Sequence, residues 1–202
     1  MEPQAMELRK VALTTVVISI LIAVLLQVAF GVSAANLPYK IGGIATGISL
    51  FWLLFDKYLW QFKFFRLFGW MTSTPNLNGR WEGTVHRHGE AKSHGFAMEI
   101  TQTNSKIKYY TYSKNSVGES IVCTLTADSL HHRFSLASIW KCKTKSLSTL
   151  GQYDDFTGAS LMALHQEKDK MVLRDFYFTD RNPQTKGKLD LIWVGKERKG
   201  QL

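Results

Sequence analysis

The sequence has little of what catalytic and secreted proteins usually display. Its 202 residues include two cysteines, Cys123 and Cys142. Their spacing matches no metal-ligand pattern and both fall in strand-like runs, so buried free thiols in a reducing compartment are expected. No Asn-x-Ser/Thr sequon occurs, which suits a cytosolic domain. There is no phosphate-binding glycine loop, no nucleophile elbow and no paired-carboxylate motif, so neither an enzyme nor a cofactor is expected. His86, His88 and His94 share one hairpin and would need a fourth ligand to hold zinc. They read better as exposed loop histidines, and no metal is expected.

Charge is missing altogether from Val11 to Ala35, where Gln27 is the strongest polar side chain. At about 1.5 Å per residue this run is long enough to cross a bilayer with some tilt. Asn36-Leu37-Pro38-Tyr39-Lys40 breaks it, with proline as the helix stop. A second apolar run, Ile41 to Phe55, extends through Tyr58-Leu59-Trp60. It spans only if Tyr39 and Lys40 snorkel at one end and aromatics anchor the other. Helices over about 11–35 and 39–60 are therefore expected, joined as an antiparallel hairpin. Arg9 and Lys10 precede it, Lys57, Lys63 and Arg66 follow it, and its loop carries Lys40 alone. Lysine and arginine counting then puts both termini on the cytoplasmic side. The small residues Val32-Ser33-Ala34 resemble a signal cleavage site, but the apolar run is too long for a signal peptide and a second one follows at once. Gly43 and Gly47 lie one turn apart, a small-xxx-small face that packs helices within the hairpin or between protomers. Trp60 to Trp70 interleaves aromatics with spaced cations as an interfacial collar.

Three parts follow: a hairpin with its collar at 1–70, a linker at 71–77, and a β-domain at 78–202. The chain carries a net charge of +9, of which +6 falls after the membrane segments. That excess favours an anionic partner, a nucleotide or an anionic lipid surface. After Asn78, helical periodicity gives way to runs rich in Val, Ile, Thr and aromatics. Eight strands are expected, at about 79–87, 95–103, 106–113, 117–127, 131–142, 156–167, 170–180 and 187–195. In the first, Gly79, Trp81, Gly83 and Val85 share a face, which suits a large ring inside a tightly curved sheet. Short hairpin connections favour an all-β, eight-stranded, antiparallel up-and-down barrel, with a sandwich as competitor.

If the first strand leaves the membrane, the turns after strands one, three, five and seven gather at the far mouth. These include the longest and most basic connections, which marks that mouth as the ligand end. Trp81 belongs at the opposite end as a structural plug. Arg174 and Asp175 lie on opposite faces of one strand, so a charged side chain turns inward whichever face does. Arg174 is then either satisfied by a neighbouring strand or an anion anchor. Arg87 and Arg181 at the far mouth are further anion-binding candidates. Tyr109, Tyr110, Tyr112, Tyr153 and Trp140 offer stacking surfaces for bases. The six chosen as ligand-binding candidates are Arg87, Tyr110, Trp140, Tyr153, Arg174 and Arg181, with Gly43 and Gly47 for assembly of the membrane helices.

Asn78-Gly79-Arg80-Trp81-Glu82-Gly83, the segment Thr179-Asp180-Arg181-Asn182-Pro183-Gln184-Thr185-Lys186-Gly187 and the hairpin-collar-barrel plan together form a recognisable whole. The chain resembles the two-transmembrane, β-strand-rich effectors of bacterial CBASS antiphage systems. The resemblance implies a lipocalin-like barrel that senses a cyclic di- or trinucleotide made by a partner nucleotidyltransferase. It further implies homo-oligomerisation of the membrane helices, disruption of the bacterial inner membrane and death of the infected cell. Membrane lipids would be partners, and a DNA or RNA polymer would not. The same barrel could instead serve as a membrane-anchored carrier or sensor of a lipid or other apolar ligand.

Overall fold

The computed structural model describes residues 3–31, 41–62, 64, 72–128, 133–144 and 155–202. These form two compact units, one containing the helices and the other residues 75–102 and 106–202.

The helical unit holds α1 (Pro3–Phe30), α2 (Ile41–Lys57) and a 3-10 turn at Leu59–Gln61. The first helix starts earlier and stops sooner than its uncharged run suggests. Gly31 has φ +62°, and its N–H returns to the Gln27 carbonyl at 3.1 Å. This left-handed glycine cap ends the helix before the apolar stretch does. Val11–Ala29 within α1 is long and apolar enough to span a bilayer. The second helix has 17 residues, shorter than the expected 39–60 segment. Among the described residues α1 is the one helix long and apolar enough to cross a membrane. Trp52 Nε1 on α2 donates to Thr15 Oγ1 on α1 at 3.0 Å. A side chain at Gly47 would sit 3.8 Å from Ile22 of α1, whereas Gly43 faces open space.

The second unit is a closed antiparallel barrel whose eight strands pair in chain order, β8 closing on β1. They are β1 (Gly79–Arg87), β2 (Ser93–Gln102), β3 (Ile107–Ser113), β4 (Ser116–Asp128), β5 (Arg133–Thr144), β6 (Phe156–Glu167), β7 (Lys170–Thr179) and β8 (Lys186–Gly195). Closure leaves no free edge and rules out the sandwich. Lys168 and Asp169 both take positive φ, +44° and +67°, as a two-residue hairpin turn between β6 and β7 requires.

Trp81, Met98, Ile100, Leu136, Met162, Leu173 and Leu191 point inward and are buried. Trp81 is fully enclosed, donates Nε1–H to the Leu77 carbonyl at 2.9 Å and packs in the same cluster as Leu77. A Cβ on Gly83 would collide with the Asp190 carbonyl, so glycine lets β1 and β8 approach beside that ring. Register shifts mark irregularities at Arg80/Trp81 and at Ser120/Val122. The second turns Ile121 and Val122 both to the outside, breaking the alternation that β4 otherwise follows.

Alternation also fails to describe the outer face of β1 and β2. Arg80, Ala97 and Glu99 point away from the core yet are buried. The C-terminal residues cover Glu99: Lys199 and Gly200 donate backbone N–H groups to Glu99 Oε1 at 2.7 and 3.0 Å. Arg80 Nη1 reaches the same oxygen at 2.7 Å, and Arg80 Nε bonds Glu82. A buried charged pair is tolerated here because Glu99 Oε1 accepts three hydrogen bonds and Arg80 donates to both Glu99 and Glu82.

Candidate functional site

Trp81 and its neighbours fill one end of the barrel, and a small cavity remains towards the other. The cavity lies at the end where the turns after β1, β3, β5 and β7 gather, and its volume is about 80 Å3. That is room for a handful of waters or a single planar ring.

Its deeper wall is apolar, built from Met98, Phe96, Val85 and Leu189. Trp140 of β5 and Phe156 of β6 form an aromatic corner, with ring centroids 5.8 Å apart and planes at 81°. The corner depends on Gly158, where a Cβ would overlap the Trp140 ring. Arg181, from the β7–β8 connection, lays its guanidinium carbon 3.5 Å from the Phe156 centroid. Such a stack positions the guanidinium at the cavity. Arg87, at the end of β1, lines the cavity from another side and pairs with Glu90 across 3.3 Å near the solvent. Tyr177 lies beside it: burial raises its phenol, and nearby Arg87 and Arg181 oppose the shift.

Hydroxyls supply most of the remaining polarity. Tyr109 OH meets Ser138 Oγ at 2.7 Å, and Ser138 Oγ meets Ser160 Oγ at 2.8 Å. Ser113 and Ser116 pair at 2.6 Å, as do Thr179 and Thr185. Burial pushes the Tyr109 hydroxyl far above its ordinary value, against the pull of Ser138 and Ser160, so it stays protonated. The Cys142 thiol also faces the cavity; burial raises it despite Ser116 and Arg181 nearby.

Of the residues singled out from sequence, Arg87, Tyr109, Trp140 and Arg181 meet at this cavity. Tyr110 and Arg174 lie on the outer surface instead. Tyr109 and Tyr110 alternate across β3, and Tyr109 takes the inward position; Tyr110 is exposed with Lys108 Nζ 5.1 Å from its ring. Arg174 is satisfied outside by Asp190 at 3.0 Å and Glu167 at 3.0 Å, carboxylates that raise its pKa further. Its neighbour Asp175 takes the inward register, opposite Met162 and Leu189. Tyr153 falls outside the described residues. Phe156, Tyr177 and the serine and threonine pairs were not legible as site residues. Parity on β7 would have found Tyr177, but isolated hydroxyls in strands carry no spacing signal.

The family described as "Cap15, cyclic dinucleotide receptor domain" matches residues 72–192, more than half of the chain and nearly all of the barrel. No curated protein matches the chain. The matched segment contains every described residue of the cavity, and the chain belongs to the Cap15 cyclic dinucleotide receptor domain family.

Proposed function

We propose that the barrel binds a cyclic dinucleotide messenger at this cavity and that binding drives association of the membrane helices. The observation that carries the reading is the pair of arginines, Arg87 and Arg181, set beside the Trp140–Phe156 corner. A cyclic dinucleotide carries two phosphates and two bases, so it asks for planar cationic donors next to aromatic faces. One base enters the cavity against Trp140, the phosphates meet Arg87 and Arg181, and the rest of the ligand stays at the mouth. No covalent chemistry is required of the site.

In the cell, the chain is a multi-pass protein of the bacterial inner membrane with both termini and the barrel in the cytoplasm. It comprises a hairpin and collar at 1–70, a linker at 71–77 and a sensor at 78–202. The messenger comes from a partner nucleotidyltransferase. Bound ligand stabilises the assembled state by binding it preferentially, and Gly43 and Gly47 let helices of neighbouring copies approach. The outcome is inner-membrane disruption and death of the infected cell. Support for assembly comes from the outer face of β5–β7, where Ile139, Leu161, Phe176 and Phe178 are exposed on neighbouring strands. Contiguous apolar surface of that kind marks protein contacts. The lipid-carrier reading has less support, since an acyl chain would meet a small hollow ringed by hydroxyls and guarded by arginines.

Titration of the detergent-purified full chain with cyclic di-AMP and cyclic di-GMP, read by calorimetry and by sedimentation, tests both halves of the proposal. Saturable binding with a rise in mass is expected. Absence of binding overturns the sensor, and binding without a rise in mass overturns the coupling.

A further inference from the structure

The polar wall of the cavity contains no carboxylate and no carboxamide among the described residues that line it. Its neutral polar groups are side-chain hydroxyls, the Trp140 indole N–H and the Cys142 thiol. Several of the hydroxyls are coupled in short chains, Tyr109–Ser138–Ser160, Ser113–Ser116 and Thr179–Thr185. A hydroxyl has one proton and two lone pairs, and it rotates to suit its neighbour. In a chain of hydroxyls the direction of donation can reverse along its whole length. Each exposed end can therefore present either a donor or an acceptor.

That property bears on which base the site can tell from another. A guanine edge offers two N–H donors and one carbonyl acceptor, whereas an adenine edge offers an amino donor beside ring-nitrogen acceptors. Discrimination by factors of thousands arises where a buried group of fixed polarity is left unpaired by the wrong ligand. A carboxylate facing the guanine N–H groups would do this. A reversible hydroxyl chain would not, because it re-pairs with either edge. Among the described lining residues, the side-chain groups of fixed polarity that remain are Arg87 and Arg181, suited to phosphate, and the Trp140 N–H. The aromatic corner is equally indifferent, since every base has a face to stack.

We infer that this receptor is base-permissive: it selects cyclic dinucleotides by their phosphates and ring faces and accepts adenine- and guanine-containing messengers alike. The inference rests on the reading of the cavity as the messenger site. Ser160 is its central residue. It lines the cavity, is buried, and ends the chain that begins at Tyr109. Its role is to supply whichever hydrogen-bond partner the base requires.

The test is calorimetric titration of the detergent-purified full chain with cyclic di-AMP, cyclic di-GMP and the mixed cyclic AMP–GMP ligand. The dissociation constants are expected to agree within about tenfold. Ser160→Ala should weaken all three by a common factor of a few-fold and leave their ratio unchanged. Ser160→Thr, which keeps the hydroxyl, should restore the affinity. A preference above about a hundredfold for one ligand in the wild-type chain overturns the inference while leaving the messenger site intact. So does a Ser160→Ala variant that weakens one ligand and spares the others. If none of the three binds, the messenger reading itself fails and base permissiveness fails with it.

Discussion

Arg181 sits over the Phe156 ring, its guanidinium carbon 3.5 Å from the ring centroid, and Phe156 in turn meets Trp140 edge to face. A connection between strands thereby delivers a cation to a corner made by two neighbouring strands. Planarity matters on both sides of this contact. Arg181→Lys should preserve the charge but lose the stack and the forked donors, and is expected to weaken ligand binding by about tenfold. Calorimetry checks it. Unchanged affinity would show that Arg181 acts only as a diffuse positive charge.

Gly158 makes the opposite kind of contribution, by being absent. A methyl group there would overlap the Trp140 ring and press on the Phe178 carbonyl. Gly158→Ala is expected to destabilise the barrel by about 1–3 kcal/mol, the usual cost of overpacking. It should also weaken binding more than it weakens the fold, because Trp140 must leave the cavity wall. Urea denaturation and titration on the same variant separate the two effects.

Glu99 makes stability sensitive to acid. Burial alone would raise its pKa, but hydrogen bonds from Lys199, Gly200 and Arg80 outweigh it and hold the carboxyl below its ordinary value. Glu82 shifts the same way, led by its bond from Arg80. A lowered folded-state pKa stabilises the protein above the unfolded value and is lost as pH falls through the folded one. Melting temperatures should therefore be flat near neutrality and fall below about pH 4.5. Glu99→Ala leaves Arg80 with one fewer acceptor in a buried position, at a cost of about 3 kcal/mol. Glu99→Gln should flatten the acid limb. An acid limb unchanged by that substitution would remove Glu99 from the account.

Burial pushes the Cys123 thiol up to about 12, and Cys142 shifts in the same direction. Thiolate is the reactive form, so both should alkylate slowly at pH 8 in the native protein and at full rate in denaturant. Cys142 also lines the cavity. Saturating cyclic dinucleotide should slow it further while leaving Cys123 unchanged, a difference that mass spectrometry of the labelled peptides resolves.

Much of the barrel could be read from the chain because its strands follow a period of two with a buried face. Leu189, Leu191 and Trp193 on β8, or Met98 and Ile100 on β2, announce the inward side directly. The hollow end was legible for a topological reason: hairpins joined in sequence send alternate turns to one mouth. What failed were properties set by partners distant in sequence. Glu99 reads as an exposed strand residue until the C-terminal segment, a hundred residues on, covers it. Arg174 looks like a buried cation in search of an anion, yet Asp190 and Glu167 hold it outside. Tyr109 and Tyr110 are adjacent and chemically identical, so only the register of β3 against β2 decides which ring turns inward.

The most direct test is titration of the full chain with cyclic di-GMP and cyclic di-AMP, set beside an Arg87→Ala/Arg181→Ala double variant. The two arginines lie at the cavity mouth and outside the buried core cluster, so the double variant should keep its melting temperature within a few degrees. Saturable binding by the wild-type chain and none by the folded double variant is the predicted result. Equal affinity of the two proteins, or no binding by either, would contradict it.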